Sequence, residues 1–181
     1  MILIDTPGSA NQVSLLAHSY ADTLITPMND SFVDLDVLAK IEPDTFKVVC
    51  PSRYAELVWE NRKNRIQRDG RSIDWIIVRN RLSSLHSKNR RAVDEALTAL
   101  STRIGFRIAP GFGERMIFRE LFLKGLTLLD LRDPEAGVRL NMSHIAARQE
   151  VRLLLEVIGL LGSSGGGGSP SVEDDMKEKL A

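Results

Sequence analysis

Asp5 ends the apolar run Met1-Ile-Leu-Ile-Asp5 and is followed at once by Thr6, Pro7 and Gly8. A carboxylate at the carboxyl end of a short buried strand, with the chain broken just beyond it, suits a metal-bound phosphate. Magnesium keeps most of its water and needs only one or two protein carboxylates, so Asp5 could hold it through water. The alternative is a strand-end aspartate that caps its own turn. The usual phosphate cradle, a glycine-rich loop ending in Lys and Ser or Thr, occurs nowhere in the 181 residues.

A second chemistry is electrostatic. Arg79, Arg81, Lys88, Arg90 and Arg91 fall close together, with His86 among them, and Arg115, Arg119 and Lys124 follow. Such a patch can bind DNA phosphates without reading sequence. It can equally be a solvated helix face, and Arg90 with Asp94 or Arg91 with Glu95 have the i, i+4 spacing for that. The segment Arg53 to Arg71 carries Arg62, Lys63, Arg65 and Arg68 among acids and reads as a solvated helix. Other chemistries find little support. His18, His86 and His144 lack zinc-site spacing, Cys50 has no second cysteine, and Ser9 and Ser14 sit in no nucleophile elbow.

The elements that must position these groups alternate short β-rich runs with helix-length amphipathic segments, which predicts a parallel sheet with crossover helices. Strands are expected at Ile2 to Asp5, Asp22 to Thr26, Asp74 to Arg79 and Phe106 to Ala109. Helices are expected at Val13 to Tyr20, Ser31 to Ala39, Ser52 to Arg68, Lys88 to Arg103, Glu114 to Lys124 and Ser143 to Leu160. Val93, Leu97, Leu100 and Ile104 mark one face of the fourth helix. Phe118, Leu121 and Phe122 form an apolar stripe expected in the core. Asp30 or Ser31 is expected to cap the helix that follows.

Lys plus Arg and Asp plus Glu both total 24, so net charge argues for no class of partner, and 43% hydrophobic residues suffice for a core. No run has the length of a signal peptide or a membrane span. Residues 1–161 are expected to form one domain. Residues 162–181 begin with Gly162-Ser-Ser-Gly-Gly-Gly-Gly-Ser169, a flexible linker, engineered or natural, before a short charged tail.

Several motifs occur in a telling order: Ile4-Asp-Thr-Pro-Gly8, Thr26-Pro-Met-Asn-Asp-Ser-Phe-Val-Asp34, Asp74-Trp-Ile-Ile-Val-Arg-Asn-Arg-Leu82, Gly105-Phe-Arg-Ile-Ala-Pro-Gly-Phe-Gly-Glu-Arg115 and Phe118-Arg-Glu-Leu-Phe122. Together they closely resemble the division-plane-positioning members of the ParA/MinD family of deviant Walker ATPases, over roughly residues 1 to 160. The resemblance implies an α/β, mostly parallel sheet with flanking helices of the P-loop NTPase type. It also implies truncation at the amino end, because the family's phosphate loop would precede Met1. The implied enzyme binds ATP and Mg2+ and forms a homodimer when ATP-bound. It binds nonspecific DNA and ParB, inhibits polymerisation of FtsZ, and is cytoplasmic and nucleoid-associated with no membrane attachment.

Residue by residue, the resemblance assigns Asp5 to the magnesium site and to catalysis. Thr6, Pro7 and Gly8 become the switch that senses the γ-phosphate, and Asn80 and Pro110 the walls of the adenine pocket. Lys88, Arg90, Arg91, Arg115 and Arg119 become the DNA contacts. A chain without the phosphate loop is expected to hydrolyse ATP negligibly. The alternative is a non-catalytic DNA- or protein-binding module.

Overall fold

The protein is described by a computed structural model that covers residues 1–9, 11–42, 45, 47–82, 88–128, 130–132 and 141–161, with the backbone alone at 88–90 and 132. The predicted linker and tail, 162–181, lie outside the described residues.

Three parallel strands form the main sheet: β1 (Thr23–Asn29), β4 (Asp74–Asn80) and β5 (Arg107–Ala109), in the order β1-β4-β5. β4 takes the centre because Trp75, Ile76, Ile77 and Val78 are all buried, the continuous apolar run of a strand covered on both faces. Among the described residues β1 pairs only with β4, in a register that runs from Thr23 opposite Asp74 to Asn29 opposite Asn80. Pro27 lies within β1, where an edge position tolerates a residue that cannot donate a hydrogen bond. A two-stranded antiparallel unit, β2 (Ala39–Ile41) with β3 (Val48–Pro51), stands beside it. The helix expected at Ser31 to Ala39 is cut to the short α2 (Phe32–Leu35), capped by Ser31; residues 36–38 turn, and Ala39 already belongs to β2.

The remaining helices are α1 (Gln12–Tyr20), α3 (Arg53–Asp69), α4 (Lys88–Leu100), α5 (Met116–Leu123) and α6 (Met142–Val157). Local chemistry sets their ends. Asn11, Ser52 and Asn141 each accept a backbone N–H three residues on, and α3 stops at Gly70, whose φ of 70° is left-handed. The periodic face of α4 is buried as expected at Val93, Leu97 and Leu100. One core lies between the sheet and α2, α3 and α4 around Trp75 and Ile77. On the other face, Ile76, Val78 and Ala109 meet Leu154, Val157 and Ile158 at the end of α6. This is an α/β fold with a parallel sheet flanked by helices.

Three further sequence expectations are corrected. Ile2 to Asp5 is not a strand: Met1, Ile2, Leu3 and Ile4 are 60–94% exposed and lie outside both sheets. Apolar content alone does not make a strand, because backbone N–H and C=O groups need a ladder partner, and among the described residues this run has none. Phe122, expected in the core, is 81% exposed, whereas Leu121 is buried and Phe118 half-buried, so the stripe turns only part of itself inward. The arginines of α3 are not a solvated face either. Arg65 is 3% exposed and donates to the carbonyls of Tyr20 and Ala21 and to Asp22. Arg62 donates to the carbonyls of Ile73 and Ile104, and Arg68 lies over the Tyr20 ring. Spaced three apart, these side chains form one stripe that buries its stems and aims its donors at chain ends left without helical or sheet partners.

Candidate functional site

Parallel strands all end at one edge, so β1, β4 and β5 deliver Asn29, Asn80 and the loop beginning at Pro110 to the same side of the sheet. The register fixes Asn29 directly opposite Asn80. Beyond the strands, two loops are stitched by their backbones. Phe112 N donates to Arg79 O at 2.8 Å, Leu82 N to Phe112 O at 2.9 Å, and Glu114 N to Leu82 O at 3.1 Å. Gly111 permits this approach, since a Cβ there would stand 2.5 Å from Arg79 O and 2.7 Å from Leu82 Cδ1. Asn80 Oδ1 accepts the N–H of Arg81, which holds a left-handed φ of 54°. A non-glycine residue in that region stores strain, a feature that clusters at binding loops. The Asn80 side-chain amide nitrogen remains able to donate at this edge.

Two ion-pair systems brace the edge, and both went unread in the sequence. Arg79 reaches Asp30 at 2.9 Å and Asp94 at 2.5 Å, tying the loop after β1 and helix α4 to the end of β4. Arg79 and Asp30 are 11% and 9% exposed, so the pair is largely withdrawn from water. Glu150 on α6 accepts from Arg115 at 2.6 Å and from Gly113 N at 3.3 Å, fixing the loop after β5. The two-residue side-chain period of a strand could have singled out Arg79, which falls on the same face of β4 as Trp75 and Ile77. Nothing local in the sequence joins Arg115 to Glu150, which lie 35 positions apart.

Asp5 is exposed and belongs to neither sheet. The turn after it leans on α1: Thr6 Oγ1 lies 3.5 Å from His18 Nε2, and Ser14 Oγ donates to Pro7 O at 3.5 Å. Burial pushes the His18 imidazole below its ordinary value. His18 stands edge-on to Tyr54, whose hydroxyl meets Thr26 Oγ1 at 2.7 Å, and Trp75 Nε1 donates to that same Thr26 oxygen at 3.0 Å. The turn is thus connected, through aromatic and hydroxyl groups, to the centre of the core. Burial also raises the Tyr54 phenol, against the pull of its bond to Thr26.

No cluster of three or more His, Cys, Asp or Glu residues able to hold a metal occurs among the described residues. An exposed lone carboxylate fits an ion held mainly by water and phosphate oxygens, which is how magnesium binds, and does not fit a dedicated protein cage. Among the DNA candidates, Arg91 and Arg119 are exposed, and Arg119 lies 3.5 Å from Glu114. Arg115 is engaged by Glu150. The side chains of Lys88 and Arg90, and the whole of His86, lie outside the described residues. Asp94, read as a partner for Arg90, is taken by Arg79.

Among the described residues no helix is long and apolar enough to cross a membrane. No curated protein matches the chain. A family model described as ATPase MipZ matches residues 1–162.

Proposed function

The chain belongs to the MipZ ATPase family, and on that premise we propose that it acts in positioning the bacterial division plane as an ATP-dependent dimer. In this reading it binds nonspecific DNA and ParB, lies on the nucleoid, and inhibits polymerisation of FtsZ. One observation carries the nucleotide assignment: the parallel register sets Asn29 against Asn80, and the loop from Pro110 to Glu114 is stitched to the loop from Arg79 to Leu82 at the same carboxyl edge. Ligands of open parallel sheets bind beyond that edge.

Each residue then has a task. Asn80 and Pro110 receive the adenine, with the Asn80 amide nitrogen donating to the base. Asp5 holds magnesium through water, and the ion, when bound, neutralises charge on the phosphate oxygens. Thr6, Pro7 and Gly8 form a turn whose position responds to the γ-phosphate, and His18 and Ser14 give that turn its resting contacts. Arg91 and Arg119, with Lys88 and Arg90, supply DNA contacts.

The test is equilibrium binding of a fluorescent ATP analogue with Mg2+ to the purified chain, beside Asp5→Ala and Asn80→Ala. Binding that needs Mg2+ and weakens in both variants supports the reading, and binding indifferent to Asp5 overturns it. Turnover is a poorer readout, because the 181 residues contain no glycine-rich phosphate loop and hydrolysis by this chain alone is expected to be negligible. The same fact, with Met1 to Asp5 outside the sheet, favours a second reading: a non-catalytic DNA- or protein-binding module. Salt-sensitive DNA binding that ignores nucleotide would support that module, whereas dimerisation on adding ATP would support the ATPase.

A further inference from the structure

α1 is set with its polar side inward. Ser14, which is buried, and His18, half-buried, face Pro7, Thr6 and Tyr54. The apolar side points out: Val13 is 74%, Leu16 60% and Tyr20 61% exposed. These three stand at i, i+3 and i+7, the spacing of successive a and d positions along a two-helix seam, and fall within about 60° of one another around the helix axis. A stripe of that spacing fits a second helix, whereas a strand would present its side chains with period two. Arg68 lies over the Tyr20 ring and is paired with Asp69 at 2.8 Å, so the ring is held in place and the charge beside it is compensated.

Charge and area together point to the occupant. A two-fold pair sets each surface against itself, so any charged group meets its own kind, and like charges brought together are costly. From Thr6 to Ala21 the chain contains no Asp, Glu, Lys or Arg, so α1 opposes its own copy without that penalty. The run Met1 to Ile4, also exposed, is moored to the same helix through Thr6 and Pro7. At about 100 Å² for each large apolar side chain, the run and the stripe offer about 700 Å² per copy. A standard interface takes roughly 800 Å² from each partner.

We propose that α1 is a self-association surface, at which two copies of this chain pair through antiparallel α1 helices without nucleotide. In that arrangement Val13 packs on Tyr20 of the partner subunit. Leu16 lies beside the two-fold axis against its own counterpart, and Ala17 is small enough to let the helices approach. Antiparallel helix dipoles also set opposite ends together. An interface at the small end of the standard range holds a pair of moderate affinity, with a dissociation constant of about 10 µM. The pairing is separate from the ATP-dependent dimer and does not rest on it.

Sedimentation velocity on the full chain without nucleotide, from about 1 to about 200 µM, tests this. The native chain is expected to pass from monomer to dimer as concentration rises. Leu16→Lys, at an exposed position, is expected to raise the midpoint at least about tenfold while the melting temperature of the monomer holds. Disulfides read the register, in a Cys50→Ser background because Cys50 is exposed. Leu16→Cys is expected to oxidise to a covalent dimer by itself, whereas Val13→Cys is expected to crosslink only with a copy carrying Tyr20→Cys. A native chain that stays monomeric, or a Leu16→Lys chain that pairs like the native one, overturns the proposal. Association that appears only on adding ATP also overturns it and assigns the contact to the ATP-dependent dimer. Val13→Cys that crosslinks to itself overturns the antiparallel arrangement.

Discussion

Arg79 and Asp94 meet at 2.5 Å, so the last inward-facing residue of the central strand is bonded to helix α4, which carries the basic cluster. The same guanidinium holds Asp30 at the end of β1, and three elements of the candidate edge therefore share one side chain.

Removing that side chain has unequal consequences for its partners. Arg79→Ala leaves Asp30, 9% exposed, as an uncompensated carboxylate, and a loss of about 3 kcal/mol is expected. Asp94 is 47% exposed and can turn to water, so Asp94→Ala should cost about 1 kcal/mol or less. Urea midpoints of the two variants check the order, and equal losses would refute the account of Asp30.

Gly111→Ala places a Cβ against Arg79 O and Leu82 Cδ1 where the two edge loops are stitched. Overpacking of this kind costs about 2 kcal/mol. Thermal melting reads the loss, and adenine-nucleotide binding should weaken with it if the loops form the base pocket. A variant that melts like the native chain would mean that the loops part freely.

His18 gives a pH dependence with a definite sign. Burial lowers its folded value below the ordinary 6.5, so between the two values the unfolded chain binds more protons. The stability tied to neutral His18 is full above pH 6.5 and falls as pH drops from there toward the folded value. Melting temperatures at pH 7.5 and 5.5 should therefore differ more for the native chain than for His18→Gln. Equal differences would mean that other groups carry the whole effect.

The proposed DNA contacts and the ion-pair braces can be told apart. Arg91→Ala and Arg119→Ala should each lower the slope of log affinity for DNA against log salt by about 1 and leave melting unchanged. Arg115→Ala strands the Glu150 carboxylate, which is 19% exposed, and should cost about 2 kcal/mol. Fluorescence anisotropy over a salt series settles the first point. Unchanged slopes would remove Arg91 and Arg119 from any DNA surface.

Much of this edge was legible because local signals agree. The apolar run Trp75 to Val78, the Asn that ends it and the α4 periodicity each carry their meaning within a few residues. What failed depends on particular distant partners. Met1 to Ile4 has the composition of a strand, but a ladder is a relation between two segments, and composition reports on only one. Arg65, read as a surface charge, is buried because the carbonyls of Tyr20 and Ala21 need donors that lie more than 40 positions away in the chain. The match of Glu150 to Arg115 is invisible for the same reason.

Among the described residues β1 has a neighbour on one side only, and that has a consequence for handling the protein. Its outer row of amides and carbonyls offers a template to any extended chain that drifts past, and the apolar amino-terminal run Met1 to Ile4 is itself left in water. Concentrated or warmed samples should therefore gain intermolecular β-structure and scatter light before the domain itself melts, and a charged residue placed in the run, such as Leu3→Lys, should delay that clouding.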